Sequence, residues 1–104
     1  MPTKTRTFTP FIFGDRSTYL PTLARAFADD LRIPPGHPLP GLGTLVIEAS
    51  RVAGMNFRLW GEHWGFHIHA YDFKSVVYLE VFAARHNLRY RKLPARAPGG
   101  PVPY

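Results

Sequence analysis

Met55-Asn56-Phe57-Arg58-Leu59-Trp60 and Phe66-His67-Ile68-His69-Ala70-Tyr71 are two alternating runs on either side of Gly61-Glu62-His63-Trp64-Gly65. Successive side chains of a strand point to opposite faces, and a five-residue loop bounded by glycines lets two such runs fold back on each other. The pattern predicts an antiparallel hairpin. Its two faces separate cleanly by period two. Met55, Phe57, Leu59, Phe66, Ile68 and Ala70 make one uniformly apolar set, which must cover a core. Asn56, Arg58, Trp60, His67, His69 and Tyr71 make the other.

Working outward toward the C-terminus, Asp72 is an N-cap for a helix over residues 73–86, with Asn87 as a left-handed terminator. Phe73, Val76, Val77, Leu79, Val81 and Phe82 leave this helix apolar nearly all round, so it is expected to be the most buried one. Residues 88–93 then alternate as a short strand.

Toward the N-terminus, residues 5–13 carry Phe8, Phe11, Ile12 and Phe13 around Pro10, which predicts an edge strand or a bulge. Gly14-Asp15 reads as a turn. Thr18 is the expected cap of a helix that tolerates Pro21 in its first turn and ends near Arg32. Leu20, Leu23, Ala24, Phe27 and Leu31 form its core-facing stripe. Residues 34–43 hold too much Pro and Gly for a regular element. Residues 45–53 fit either a strand, from Leu45-Val46-Ile47, or a helix capped by Thr44 and closed by Gly54; helix is the reading adopted.

The order is therefore β-α-α-β-β-α-β, expected as a two-layer α+β fold with helices on one face of a small antiparallel or mixed sheet. One domain is expected over residues 1–93, followed by a Pro/Gly-rich flexible tail over 94–104. RNA-recognition domains have the order β-α-β-β-α-β. This chain departs from them by a second helix in the first crossover, and Trp64-Gly65-Phe66 is only a fragment of their glycine-aromatic signature.

The 104 residues contain no cysteine, which excludes disulfides, thiolate chemistry and cysteine zinc sites. Thirteen Lys plus Arg stand against seven Asp plus Glu, a formal charge of +6, and Arg outnumbers Lys ten to three. That balance favours anionic partners. The longest dense apolar run, residues 76–84, is too short to cross a bilayer and contains Glu80, so a cytoplasmic protein that does not engage membranes is expected.

The second hairpin face combines Trp60 and Tyr71, which offer stacking surfaces, with Arg58, His67 and His69. On the last strand Arg89, Arg91 and Lys92 add positive charge. These eight residues are the expected binding site. Unless a helix or the Pro-rich loop covers the face, the partner is nucleic acid or an acidic surface of a nucleic-acid-handling protein complex. A compact inhibitor of such a complex, of the kind phages and mobile elements encode, is another form of the same expectation.

His67 and His69 sit on one strand face, about 6.5–7 Å apart along it. A divalent ion with His63 or Asp72 as third ligand is conceivable from that spacing, as is a phosphoester hydrolase using the pair as acid and base. No nucleophile elbow, phosphate-cradling glycine loop or helical zinc motif accompanies them. A non-catalytic binding module without metal or cofactor is therefore the leading expectation, and the histidine-dependent hydrolase is the alternative.

Overall fold

The computed structural model describes residues 7–14, 16–61 and 65–96. Four strands and three helices follow in the order β1 (Thr9–Phe13), α1 (Arg16–Asp30), α2 (Leu42–Ala53), β2 (Phe57–Gly61), β3 (Phe66–Ala70), α3 (Phe73–Arg85) and β4 (Tyr90–Lys92). The strands form one sheet, β2-β3-β1-β4, in which every neighbouring pair is antiparallel. Each helical crossover thus skips one strand: β1 connects to β2 across β3, and β3 connects to β4 across β1. This is a split β-α-β arrangement twice over, with the helices packed on one sheet face.

Register assigns the faces. Phe11 opposes Ile68 and Phe13 opposes Phe66, while Phe57 opposes Ala70 and Leu59 opposes Ile68. These side chains meet the helices, where Phe27 of α1 stacks on Phe82 of α3 with centroids 4.4 Å apart and Phe57 stacks on Tyr78 at 5.6 Å. Leu23, Leu45, Val46 and Leu79 close the core. The apolar half of the hairpin does what its periodicity requires.

All three helices stop the same way. Ile33 donates to Ala28 and Arg32 to Asp29; Met55 donates to Ser50 and Gly54 to Arg51; Leu88 donates to Ala83 and Asn87 to Ala84. This nested pair of bonds satisfies the last carbonyls and needs a left-handed residue between them. Arg32 (φ 61°), Gly54 (φ 69°) and Asn87 (φ 58°) supply it. Gly54 and Asn87 were legible as terminators; Arg32 carries the conformation without glycine's freedom, and the prolines that follow prevent the helix from continuing.

Several expectations are corrected. Pro10 lies in a central strand, not at an edge. Its carbonyl accepts from Leu93 on the β4 side, so its missing N–H falls on that side too, at the end of a three-residue strand, and the β1–β3 ladder is left whole. α1 begins at Arg16, and Pro21 sits beyond its first turn. Leu20 is exposed, so the core stripe of α1 starts at Leu23. α2 begins three residues before the expected Leu45 and has no side-chain cap, which leaves Thr44 inside it. α3 is not the most buried helix: Phe73, Val77 and Val81 are solvent-exposed along one side.

Chain termini and the hairpin turn bear on two further expectations. Phe8 and Arg96 exchange both backbone hydrogen bonds, at 2.9 Å each, so the chain stays tied to the sheet past residue 93. The rest of the expected tail, the start of the first strand at residues 5 and 6, and Glu62, His63 and Trp64 lie outside the described residues. Among the described residues no helix is long and apolar enough to cross a membrane.

Candidate nucleic-acid interface

Two serines deliver the chain into β2. Ser50 Oγ donates to the Met55 carbonyl at 2.8 Å and accepts from the Phe57 amide at 3.3 Å. Ser75 Oγ accepts from the Asn56 amide at 2.7 Å, while the Ser75 amide is held by the capping carboxylate of Asp72. α2 and α3 thereby fix where β2 starts, and hence which residues it turns away from the core.

The face turned away carries Arg58 and Trp60 of β2, His67 and His69 of β3, Pro10 and Ile12 of β1, and Arg91 of β4. Trp60 is the extra residue of a β-bulge: Arg58 opposes His69 but Gly61 opposes His67. The bulge keeps Trp60 on Arg58's face and brings its indole onto His69, with centroids 5.2 Å apart and planes 14° from parallel. Phe8, which precedes β1, stacks on His69 from the β1 side at 4.1 Å and 11°. Tyr71 meets both Phe8 and His69 at tilted angles.

His69 is thus sandwiched between two rings, one from β2 and one from the residue that precedes β1. It is 3% exposed and His67 is 2% exposed. The expectation of solvent-facing histidines is not met, because β3 is central and its neighbours supply bulky side chains on this face too. Burial is the main reason the His69 imidazole titrates at about 4 rather than 6.5, with the positive charges of His67 and Arg96 adding to it. At neutral pH it is uncharged, and its Nε2 has no hydrogen-bond partner among the described residues.

What remains accessible is split between the two edges of the sheet. Arg58 and Trp60 are exposed on β2, Trp60 by 65%. Arg89 and Arg91 are exposed on and just before β4, where the Tyr19 hydroxyl accepts from the Arg89 amide at 2.7 Å. Lys92 does not join them. It opposes Phe11, so it points to the helix side, where its ammonium binds Glu80 of α3. The expected site is therefore two edges flanking covered imidazoles, not one continuous platform. Phe8, Ile12 and Arg96 belong to this face and were missed; the alternation of residues 8–13 signals the first two, whereas nothing local places Arg96 opposite Phe8.

The described carboxylates are segregated by layer. Among the described residues the carboxylates are Asp29, Asp30, Glu48, Asp72 and Glu80, and all lie on helices or cap one. Arg25 pairs with Asp29 at 2.9 Å and Arg51 with Glu48 at 2.6 Å. Asp30 holds three partners from α3 and its end: Arg85 at 2.6 Å, His86 Nε2 at 2.8 Å and the Tyr78 hydroxyl at 3.3 Å. Burial and the adjacent Asp30 carboxylate push the Tyr78 phenol upward. No described carboxylate faces Arg58 or Arg91, and neither arginine has an ion-pair partner among the described residues.

Among the described residues no three histidine or acidic side chains converge as metal ligands. Asp72, one of the two expected third ligands, caps α3 instead. No protein-family model, curated protein or solved structure matches this chain.

Proposed function

We propose that this protein is a small, non-catalytic, cytoplasmic module that binds nucleic acid through the sheet face opposite its helices. The observation that carries the proposal is the confinement of the described carboxylates to one layer. They lie in the helical layer, where Asp29, Asp30, Glu48 and Glu80 pair with basic side chains and Asp72 caps α3, while Arg58 and Arg91 extend from the other face with no described carboxylate beside them. A formal charge of +6 distributed this way steers polyanions to one side of the molecule. Arg58 and Arg91 flank the face across three strand spacings, about 14 Å, and Arg89 extends the β4 edge.

The hydrolase alternative has less support. Acid–base catalysis at a phosphoester requires imidazoles within hydrogen-bond reach of substrate, and His67 and His69 are covered.

Anisotropy of a labelled mixed-sequence oligonucleotide tests the proposal with charge-matched variants. Arg58→Glu with Arg91→Glu is expected to weaken binding by at least about tenfold, since two charges are reversed at the contact face. Arg51→Glu with Lys74→Glu, the same change in net charge on the helical side, is expected to weaken it far less. Equal losses in the two pairs mean that binding follows net charge alone and that this face is not the site.

A further inference from the structure

We infer that the β2 edge takes an unpaired nucleobase, stacked on the outward face of Trp60, with the adjoining phosphate on Arg58. This deepens the nucleic-acid reading and rests on it. Three rings, Phe8, His69 and Trp60, lie in a near-parallel row that runs across the strands, with interplanar angles of 11° and 14°. Phe8 comes from the β1 side of β3 and Trp60 from the β2 side, so the row is directed outward at its Trp60 end. β2 is the edge of the sheet, and among the described residues no further strand lies beyond the indole. One π face of Trp60 is therefore spent on His69 and the other is open, consistent with its 65% exposure.

A base is the natural fourth member of this row. Stacking a base on an aromatic ring requires that one face of the base be free, which holds for unpaired and terminal bases and fails inside a duplex. The ring beneath Trp60 is neutral at physiological pH, so the indole is supported by a flat uncharged partner and needs no ordering when a base arrives. Arg58 is two residues back on the same face of the same strand, about 6.5–7 Å along it. That separation suits one nucleotide, with its base on the indole and its phosphate on the guanidinium. Stacking on a ring reads no base edge, so the site is expected to tolerate sequence.

The test is anisotropy with fluorescein-labelled oligouridine, oligothymidine and a blunt-ended duplex of matched length, using wild type, Trp60→Ala, Trp60→Phe and Arg58→Ala. Circular dichroism of each variant establishes that it is folded. Tighter binding of single strands than duplex is expected. Trp60→Ala should reduce single-strand affinity by roughly five- to a hundredfold, leave duplex affinity and the salt slope unchanged, and be partly rescued in Trp60→Phe. Arg58→Ala should instead lower the salt slope by about 0.7 for single strands. If single strands and duplex bind alike and Trp60→Ala alters neither, base stacking is overturned while nucleic-acid binding by the charged face stands. If no probe binds the wild-type protein, both readings are overturned, and the Trp60 face is left to an acidic protein surface.

Discussion

His69 and Trp60 stack across the β2–β3 pair at 5.2 Å, and the same imidazole is covered on its other side by Phe8 at 4.1 Å. A titratable group held this way stores a pH dependence. The unfolded chain takes up a proton at His69 near pH 6.5, but the folded chain does so only at about 4. Between those values the unfolded state binds more protons, so stability falls as pH drops through the window and levels off below it. The shift corresponds to about 3 kcal/mol. His69→Phe keeps a ring in the row and removes the proton site, so its loss of stability between neutral pH and about pH 4.5 should be smaller than that of wild type by most of this amount. Urea unfolding at both pH values measures it.

Ser75 is fully buried, and its hydroxyl is the acceptor for the Asn56 amide at the entry to β2. Ser75→Ala leaves that N–H without its partner, at a cost of about 1–3 kcal/mol. Because the same bond helps to place β2, hydrogen exchange at Asn56 and Phe57 should accelerate more than at β1.

Asp30 ties the end of α1 to α3 through Arg85, His86 and Tyr78, with its carboxylate only 15% exposed. Asp30→Ala strands these partners and is expected to lower stability by about 1–3 kcal/mol. Asp30→Asn, which keeps the shape and one acceptor, should lose less. Thermal unfolding of both variants at neutral pH gives the comparison.

Gly65 closes the hairpin loop against the end of β1. A Cβ there would lie 2.4 Å from the Gly14 carbonyl oxygen and 3.1 Å from a methyl of Ile12. The first contact is with backbone, which cannot rotate away, so Gly65→Ala is expected to destabilise by roughly 1–3 kcal/mol. A fall in the denaturant midpoint without a change in slope is the expected signature.

The hairpin, the element order and the helical identity of residues 45–53 were readable because each rests on local information: period-two alternation, a left-handed Gly54, a capping Asp72. The hairpin's outward residues were assigned to the correct face even though a bulge interrupts it, since the extra residue, Trp60, stays on the face of Arg58. What could not be read depends on partners distant in the chain. The face of Lys92 follows from its register with Phe11, not from its neighbours in sequence. The burial of His67 and His69 follows from β3 being central, which the strand order decides. Pro10 reads as an edge residue until β4 is seen to end beside it. The exposed Phe73, Val77 and Val81 escaped because an all-round apolar helix gives no phase from which to choose its outer side.

The dependence of nucleic-acid affinity on salt is the most direct test of the central claim that this face binds polyanions. Affinity for a single strand should fall linearly on a logarithmic plot as salt rises, with a slope of about −0.7 for each phosphate neutralised. The slope should become shallower by about that amount on replacing either Arg58 or Arg91 with Ala. A flat salt response, or a slope unchanged by both replacements, would contradict the account.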